Sequence, residues 1–148
     1  MHKKLLHIFF ILAGIVFSST IVHAQDLQDI IHQCAMSAGE DATYLKDFVV
    51  KLEKGEPNQR PPVFRQTLAL RKNITYRFSL CTMDNSEGQP VLRLYDQARM
   101  VLSSYSPQTG KDYPIVNFQC KKSGIYTIMI SFKEANAGEA IGILSYVK

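Results

Sequence analysis

The feature that most constrains this chain is a change of rhythm at Ala42. Before it, Leu27, Ile30, Ile31 and Cys34 recur at the spacing of an amphipathic helix, which predicts a helix over Asp26 to Ala38. After it, apolar and polar residues alternate in short runs closed by turn-forming residues, and this continues to the end of the chain. Alternation gives each strand one face that must be buried. Eight such runs are visible: Tyr44 to Leu52, Val63 to Leu70, Ile74 to Leu80, Val91 to Tyr95, Met100 to Tyr105, Ile115 to Cys120, Ile125 to Phe132 and Ala140 to Val147. Eight strands in a chain of 148 residues imply two packed sheets, so the expected fold is all-β, an antiparallel two-sheet β-sandwich with a short N-terminal α-helix.

The connections fit this scheme. The polar stretch from Glu53 to Pro62 carries Pro57, Pro61 and Pro62, which cannot donate to a ladder. Arg71-Lys72-Asn73 has hairpin length, and Asn73 is suited to the left-handed conformation such a loop needs. Lys121-Lys122-Ser123-Gly124 reads as a tight connection with a positive backbone angle at Gly124. Glu134 to Glu139 reads as another. The run Ile125 to Phe132 is apolar on both faces, which predicts a central strand.

The N-terminus predicts an export signal. Lys3 and Lys4 precede an apolar stretch from Leu5 to Val22, and Val22-His23-Ala24 offers the small residues of a cleavage site. The expected organisation is a signal peptide over 1–24, a helical segment over 25–41 and the β-sandwich over 42–148. No Cys follows the apolar run to accept a lipid, so the product is expected to be soluble in the periplasm or outside the cell, not a lipoprotein, with no stable membrane span.

Loss of the leader removes two lysines and leaves 15 basic residues against 13 acidic ones, a net of +2. A nucleic-acid partner would need a clustered basic face, and none stands out. The leader also holds His2, His7 and His23, leaving His32, which falls off the helical stripe. A zinc site of several imidazoles is thereby excluded, and a histidine-activated nucleophile would depend on His32 alone.

The residues Leu70-Arg-Lys-Asn-Ile-Thr-Tyr-Arg-Phe78, Val91-Leu-Arg-Leu-Tyr-Asp96, Met100-Val-Leu-Ser-Ser104 and Gly124-Ile-Tyr-Thr-Ile-Met-Ile130 resemble strands of the bacterial pre-peptidase C-terminal domains. The resemblance runs from about residue 62 to 147 and implies a jelly-roll-like sandwich. Some members bind insoluble polymers such as collagen or polysaccharide. Gln89-Pro90 stands where the family often carries acidic residues, so a family-type calcium site does not carry over from the resemblance.

Three cysteines, Cys34, Cys81 and Cys120, form an odd set for an exported chain. Cys81 and Cys120 each end a predicted strand, and a bridge between them is expected ahead of one from Cys34 to either, or of none. On the helical stripe, Cys34 is expected as a buried thiol; an intermolecular bridge through the odd cysteine is the other reading. Asp84, Asn85 and Glu87 share a loop with Ser86 and could hold calcium, although ordinary turn chemistry also explains them. No other cofactor is expected. Tyr105 and Tyr113 flank a polar loop containing Gln108 and Lys111, the one place where aromatic residues border a recognition loop, so these four are the expected ligand-binding residues.

Three functions fit these features. The favoured one is a non-catalytic exported module that binds a polysaccharide or protein polymer, or an envelope protein, through loops at one end of the sandwich. The second is a structural or assembly subunit of an envelope complex, disulfide-linked through the odd cysteine. The third is a hydrolase using carboxylates such as Asp84, Glu87 and Asp96 as acid and base.

Overall fold

The computed structural model describes the backbone of residues 22–148 and the side chains of 26–148. The expected leader over 1–24 lies outside the described residues except for Val22 to Ala24, which open helix α1 (Val22–Met36). Residues 31–148 form one compact unit. Its strands are β1 (Ala42–Leu52), β2 (Phe64–Leu70), β3 (Thr75–Thr82), β4 (Pro90–Asp96), β5 (Arg99–Ser103), β6 (Tyr105–Ser106), β7 (Lys111–Asp112), β8 (Ile115–Gln119), β9 (Gly124–Phe132) and β10 (Gly138–Val147).

Two four-stranded sheets, ordered β1-β10-β3-β8 and β2-β9-β4-β5, carry the fold, with β6 and β7 as a separate small hairpin. With that hairpin set aside, first pairs with last all the way in: β1 with β10, β2 with β9, β3 with β8 and β4 with β5, each antiparallel. This nesting is a long hairpin rolled up so that successive rungs fall in opposite sheets, the jelly-roll order. The all-β sandwich expected from alternation is therefore the fold. Strand β9 lies between β2 and β4, as its two apolar faces predict.

The inward faces meet in one cluster that includes Phe48, Val50, Phe78, Leu92, Leu94, Ile128, Ile130 and Leu144. Packing is close enough to demand glycine at position 138, where a Cβ would come within 2.3 Å of the Phe132 ring. Asn73 takes the left-handed conformation, φ 67°, between β2 and β3. Gly124 does not have the positive angle expected of it, since it already pairs with Leu70 as the first residue of β9. The expected strand from Met100 to Tyr105 is broken at Ser104. Its buried hydroxyl accepts the Leu92 N–H at 2.9 Å, and its carbonyl accepts the Tyr113 N–H at 2.8 Å, so the chain leaves the sheet edge and folds out as β6 and β7.

A second layer covers the outer face of the first sheet. By strand parity Ile141 and Ile143 point away from the core, yet both are fully buried. The end of α1 lies over them, with Ile31, Cys34 and Ala38 buried and Cys34 bridged to Cys81 on β3. Gly39, at φ 97°, ends the helix with its N–H on the Met36 carbonyl, and Arg77 donates to the Ala38 carbonyl at 2.5 Å and to Asp41 at 2.6 Å. That guanidinium, chiefly through its hydrogen bond, holds the Asp41 carboxyl below its ordinary 3.8.

The expected Cys81–Cys120 bridge is overturned. In an antiparallel pair the C-terminal ends of the two strands lie at opposite ends of the ladder. Cys120 sits beside Ile74, where β3 begins, and donates its N–H to the Ile74 carbonyl at 3.0 Å. Cys81 lies seven residues further along the chain, about 23 Å at the rise of an extended strand. Cys120 is the free and buried cysteine, lying by the Tyr126 hydroxyl, whose titration burial and this thiol push above the ordinary 10.0. The disulfide-linked assembly expected through the odd cysteine thus loses its thiol: Cys34 is bridged within the chain, and Cys120 is only 1% exposed.

Candidate functional site

The outward face of the second sheet is not uniform. Along β2 the exposed positions are Arg65, Thr67 and Ala69, alternating with Leu68 and Leu70, which turn inward. Along β4 the outward positions are Val91, Arg93 and Tyr95, alternating with the buried Leu92 and Leu94. Register then brings the arginines together. Arg65 pairs with Met129 of β9 from one side, and Arg93 pairs with the same Met129 from the other. The two side chains share one row across the sheet, two strand spacings or about 10 Å apart at the backbone.

A cleft of about 770 Å³ opens over this face. Its floor is Val91, Arg93 and Ser131, and one wall is the incoming loop Arg60-Pro61-Pro62-Val63 with Arg65. The opposite wall is Tyr105, with Lys133, Glu134 and Ala135 closing the end. Arg93 donates to the Ser131 hydroxyl at 3.1 Å. Lys133 bonds Asp112 at 2.7 Å and lies 4.2 Å from the centre of the Tyr105 ring, so its charge is met on two sides. Among the described residues no carboxylate lies within ion-pair distance of Arg60, Arg65 or Arg93.

The turn that positions Lys133 is strained. Glu134 and Ala135 both hold left-handed backbone angles, φ 57° and 54°, without being glycine. Such residues cost about 1 to 2 kcal/mol each and persist where their surroundings fix them. Here the Lys133 N–H is held by the Gln89 carbonyl at 2.9 Å and the Ala135 carbonyl by the Gly55 N–H at 2.7 Å.

Two like charges about 10 Å apart repel by about 0.4 kcal/mol at the dielectric of water and about four times that at an effective value of 20, which a folded domain tolerates. A carboxylate about 4 Å from one guanidinium gains about 1 to 4 kcal/mol over the same range. Four basic side chains, Arg60, Arg65, Arg93 and Lys133, line the cleft against one carboxylate, Glu134.

The expected binding residues are dispersed by the structure. Tyr105 lines this cleft, whereas Tyr113 lines a separate recess of about 100 Å³ with Pro90 and Pro114. Gln108 is exposed in the hairpin turn, where the Ser106 hydroxyl contacts its amide oxygen at 3.2 Å, and Lys111 is exposed on β7 opposite Ser106. In the loop expected to hold calcium, Asp84, Asn85 and Glu87 are exposed. The Ser86 hydroxyl is engaged in turn chemistry, donating to the Gly88 carbonyl at 2.8 Å and accepting the Glu139 N–H at 3.1 Å. Among the described residues no three His, Cys, Asp or Glu side chains group so as to hold a metal. Asp96 ends β4 and forms an ion pair with Arg99 at 3.8 Å, while Asp84 and Glu87 precede the start of that strand. The length of β4, about 20 Å, separates them, more than acid–base cleavage of a glycoside spans. His32 is exposed, off the buried Ile31 and Cys34.

The cleft residues Arg60, Arg65, Arg93 and Lys133 were not singled out in the sequence. The available signal was Arg93, a charge in the middle of the aliphatic run Val91 to Tyr95. It acquires meaning only when the strand order places Arg65 two strands away.

What the fold and cleft define is a jelly-roll sandwich with an open basic cleft on one sheet. No protein-family profile matches the chain, and no curated protein matches it. Among solved structures it is similar to PliG of Aeromonas hydrophila, a periplasmic inhibitor of g-type lysozyme, with 12% identity, a TM-score of 0.48, and coverage of 73% of this chain and 88% of that one. A likeness of that size says nothing about what this chain binds. No described helix is long and apolar enough to cross a membrane.

Proposed function

We propose that this chain is an exported, non-catalytic binding module that recognises an extracellular polymer or an envelope protein through the cleft over β2, β9 and β4. The observation that carries this reading is the trio Arg60, Arg65 and Arg93, gathered around a concave surface without carboxylate partners. Arg65 and Arg93 stand on paired strands and Arg60 on the loop leading into β2, so the sheet backbone that presents two of the three guanidinium groups is already ordered before an anionic surface docks. The resemblance to pre-peptidase C-terminal domains points to the same class of role, and the leader expected over 1–24 from the sequence supports export. A carboxylate hydrolase is disfavoured because Asp96 stands a strand length from Asp84 and Glu87, and that pair is exposed in a loop that does not line the cleft.

The test compares the wild-type chain with Ser131→Trp, which fills the cleft floor, and with Lys121→Glu on a remote turn. Each is assayed against immobilised acidic, neutral and basic polymers and against envelope extract, with thermal melts to confirm folding. The expected result is binding that Ser131→Trp abolishes and Lys121→Glu preserves. Binding unaffected by the filled cleft would place the site elsewhere and overturn the reading.

A further inference from the structure

We propose that the occupant of the cleft is an acidic, extended segment of a partner protein, laid across β2, β9 and β4 so that two of its carboxylates reach Arg65 and Arg93. This rests on the cleft being the binding site and adds the chemistry of its ligand. Three observations carry it.

The first is spacing. Arg65 and Arg93 flank Met129 in one row. In an extended segment, alternate side chains point the same way about 7 Å apart, a separation that two flexible arginines about 10 Å apart at the backbone converge on. Each guanidinium can then present its fork to one carboxylate.

The second is the surface between and beside the charges. Half-buried Met129 separates the arginines, and half-buried Val63 lines the cleft beside Arg65. Aliphatic side chains alternating with acidic ones would have somewhere to rest.

The third distinguishes a peptide from an acidic polysaccharide. Sugar rings bind by stacking on exposed aromatic faces, but the Tyr105 ring is faced by the Lys133 ammonium at 4.2 Å, and the other aromatic residue at the cleft, Phe132, is only 5% exposed. An acidic sugar would find charges but no platform, while a peptide needs none.

Lys133 adds a boundary. Its charge is already met by Asp112, so the ligand's negative charge is read mainly at the β2–β4 side of the cleft and not at the closed end.

The experiment measures fluorescence anisotropy of a short labelled peptide of alternating Glu and Val, its Gln and Val analogue, and an oligogalacturonate of matched charge. The proteins are wild type, Arg65→Glu/Arg93→Glu, and Arg93→Lys, all checked for folding by thermal melt. The acidic peptide is expected to bind saturably and more tightly than both the Gln analogue and the oligogalacturonate. The double reversal should weaken it by about 100-fold, and Arg93→Lys, which keeps the charge and loses the fork, by about tenfold. Equal binding of the Gln analogue, or undiminished binding by the double reversal, would overturn the proposal. Preference for the oligogalacturonate at equal charge would assign the cleft to a polysaccharide instead and also overturn it. If only neutral or basic ligands bind and Ser131→Trp blocks them, the cleft remains the site and the acidic-peptide proposal alone fails.

Discussion

At the scale of single residues, the molecule is shaped by polar contacts that alternation in the sequence does not reveal. Ser104 stops a strand because its hydroxyl and carbonyl are both taken by backbone partners. Arg77 latches the helix end because it meets a carbonyl and a carboxylate together. The latch has a pH signature. Asp41 titrates below its ordinary 3.8 in the folded chain, so the stability it contributes is fully present above that value and is lost as pH falls through the lowered one. Comparison of unfolding midpoints for wild type and Asp41→Asn across the acid range should show a small gap that narrows below pH 3.8. Curves that stay parallel would mean the ion pair does nothing for the fold.

At the scale of elements, the strands were legible and their partners were not. Alternation from Tyr44 to Leu52 or from Val63 to Leu70 records which side of a strand is buried, and those limits hold to within about two residues. Pairing is a long-range property. The Cys81–Cys120 expectation failed for that reason: both cysteines end strands, and the two strands do pair, but antiparallel pairing sends their ends apart. Cys34, placed correctly on the helical stripe, instead finds Cys81 across the sheet's outer face and closes a loop of 47 residues in sequence. A loop of that length stabilises by about 3 to 4 kcal/mol in the chain-entropy account. Replacing Cys34 and Cys81 by Ser together, or adding a reductant, should lower the urea midpoint by a corresponding amount. Thiol counting should find one cysteine, Cys120, that reacts only after unfolding. An unchanged midpoint, or a thiol that reacts in the native state, would contradict this arrangement.

At the scale of the whole molecule, the candidate site exists because of the strand order. Arg65 and Arg93 are 28 positions apart in sequence and share a row because β9 threads between β2 and β4. The sequence did contain one member of the site, Tyr105, chosen as an aromatic beside a polar loop. Its partner in that reading, Tyr113, lies in another recess because β7 separates the two. The most direct test of the account follows the backbone amides of the isotopically labelled chain by NMR during titration with the Glu and Val peptide. Shifts centred on Arg65, Val91, Arg93 and Ser131, fading with added salt and missing in Arg65→Glu/Arg93→Glu, are the predicted result. Shifts centred on the hairpin tip at Gln108 and Lys111, or on the helix-covered sheet, would contradict it.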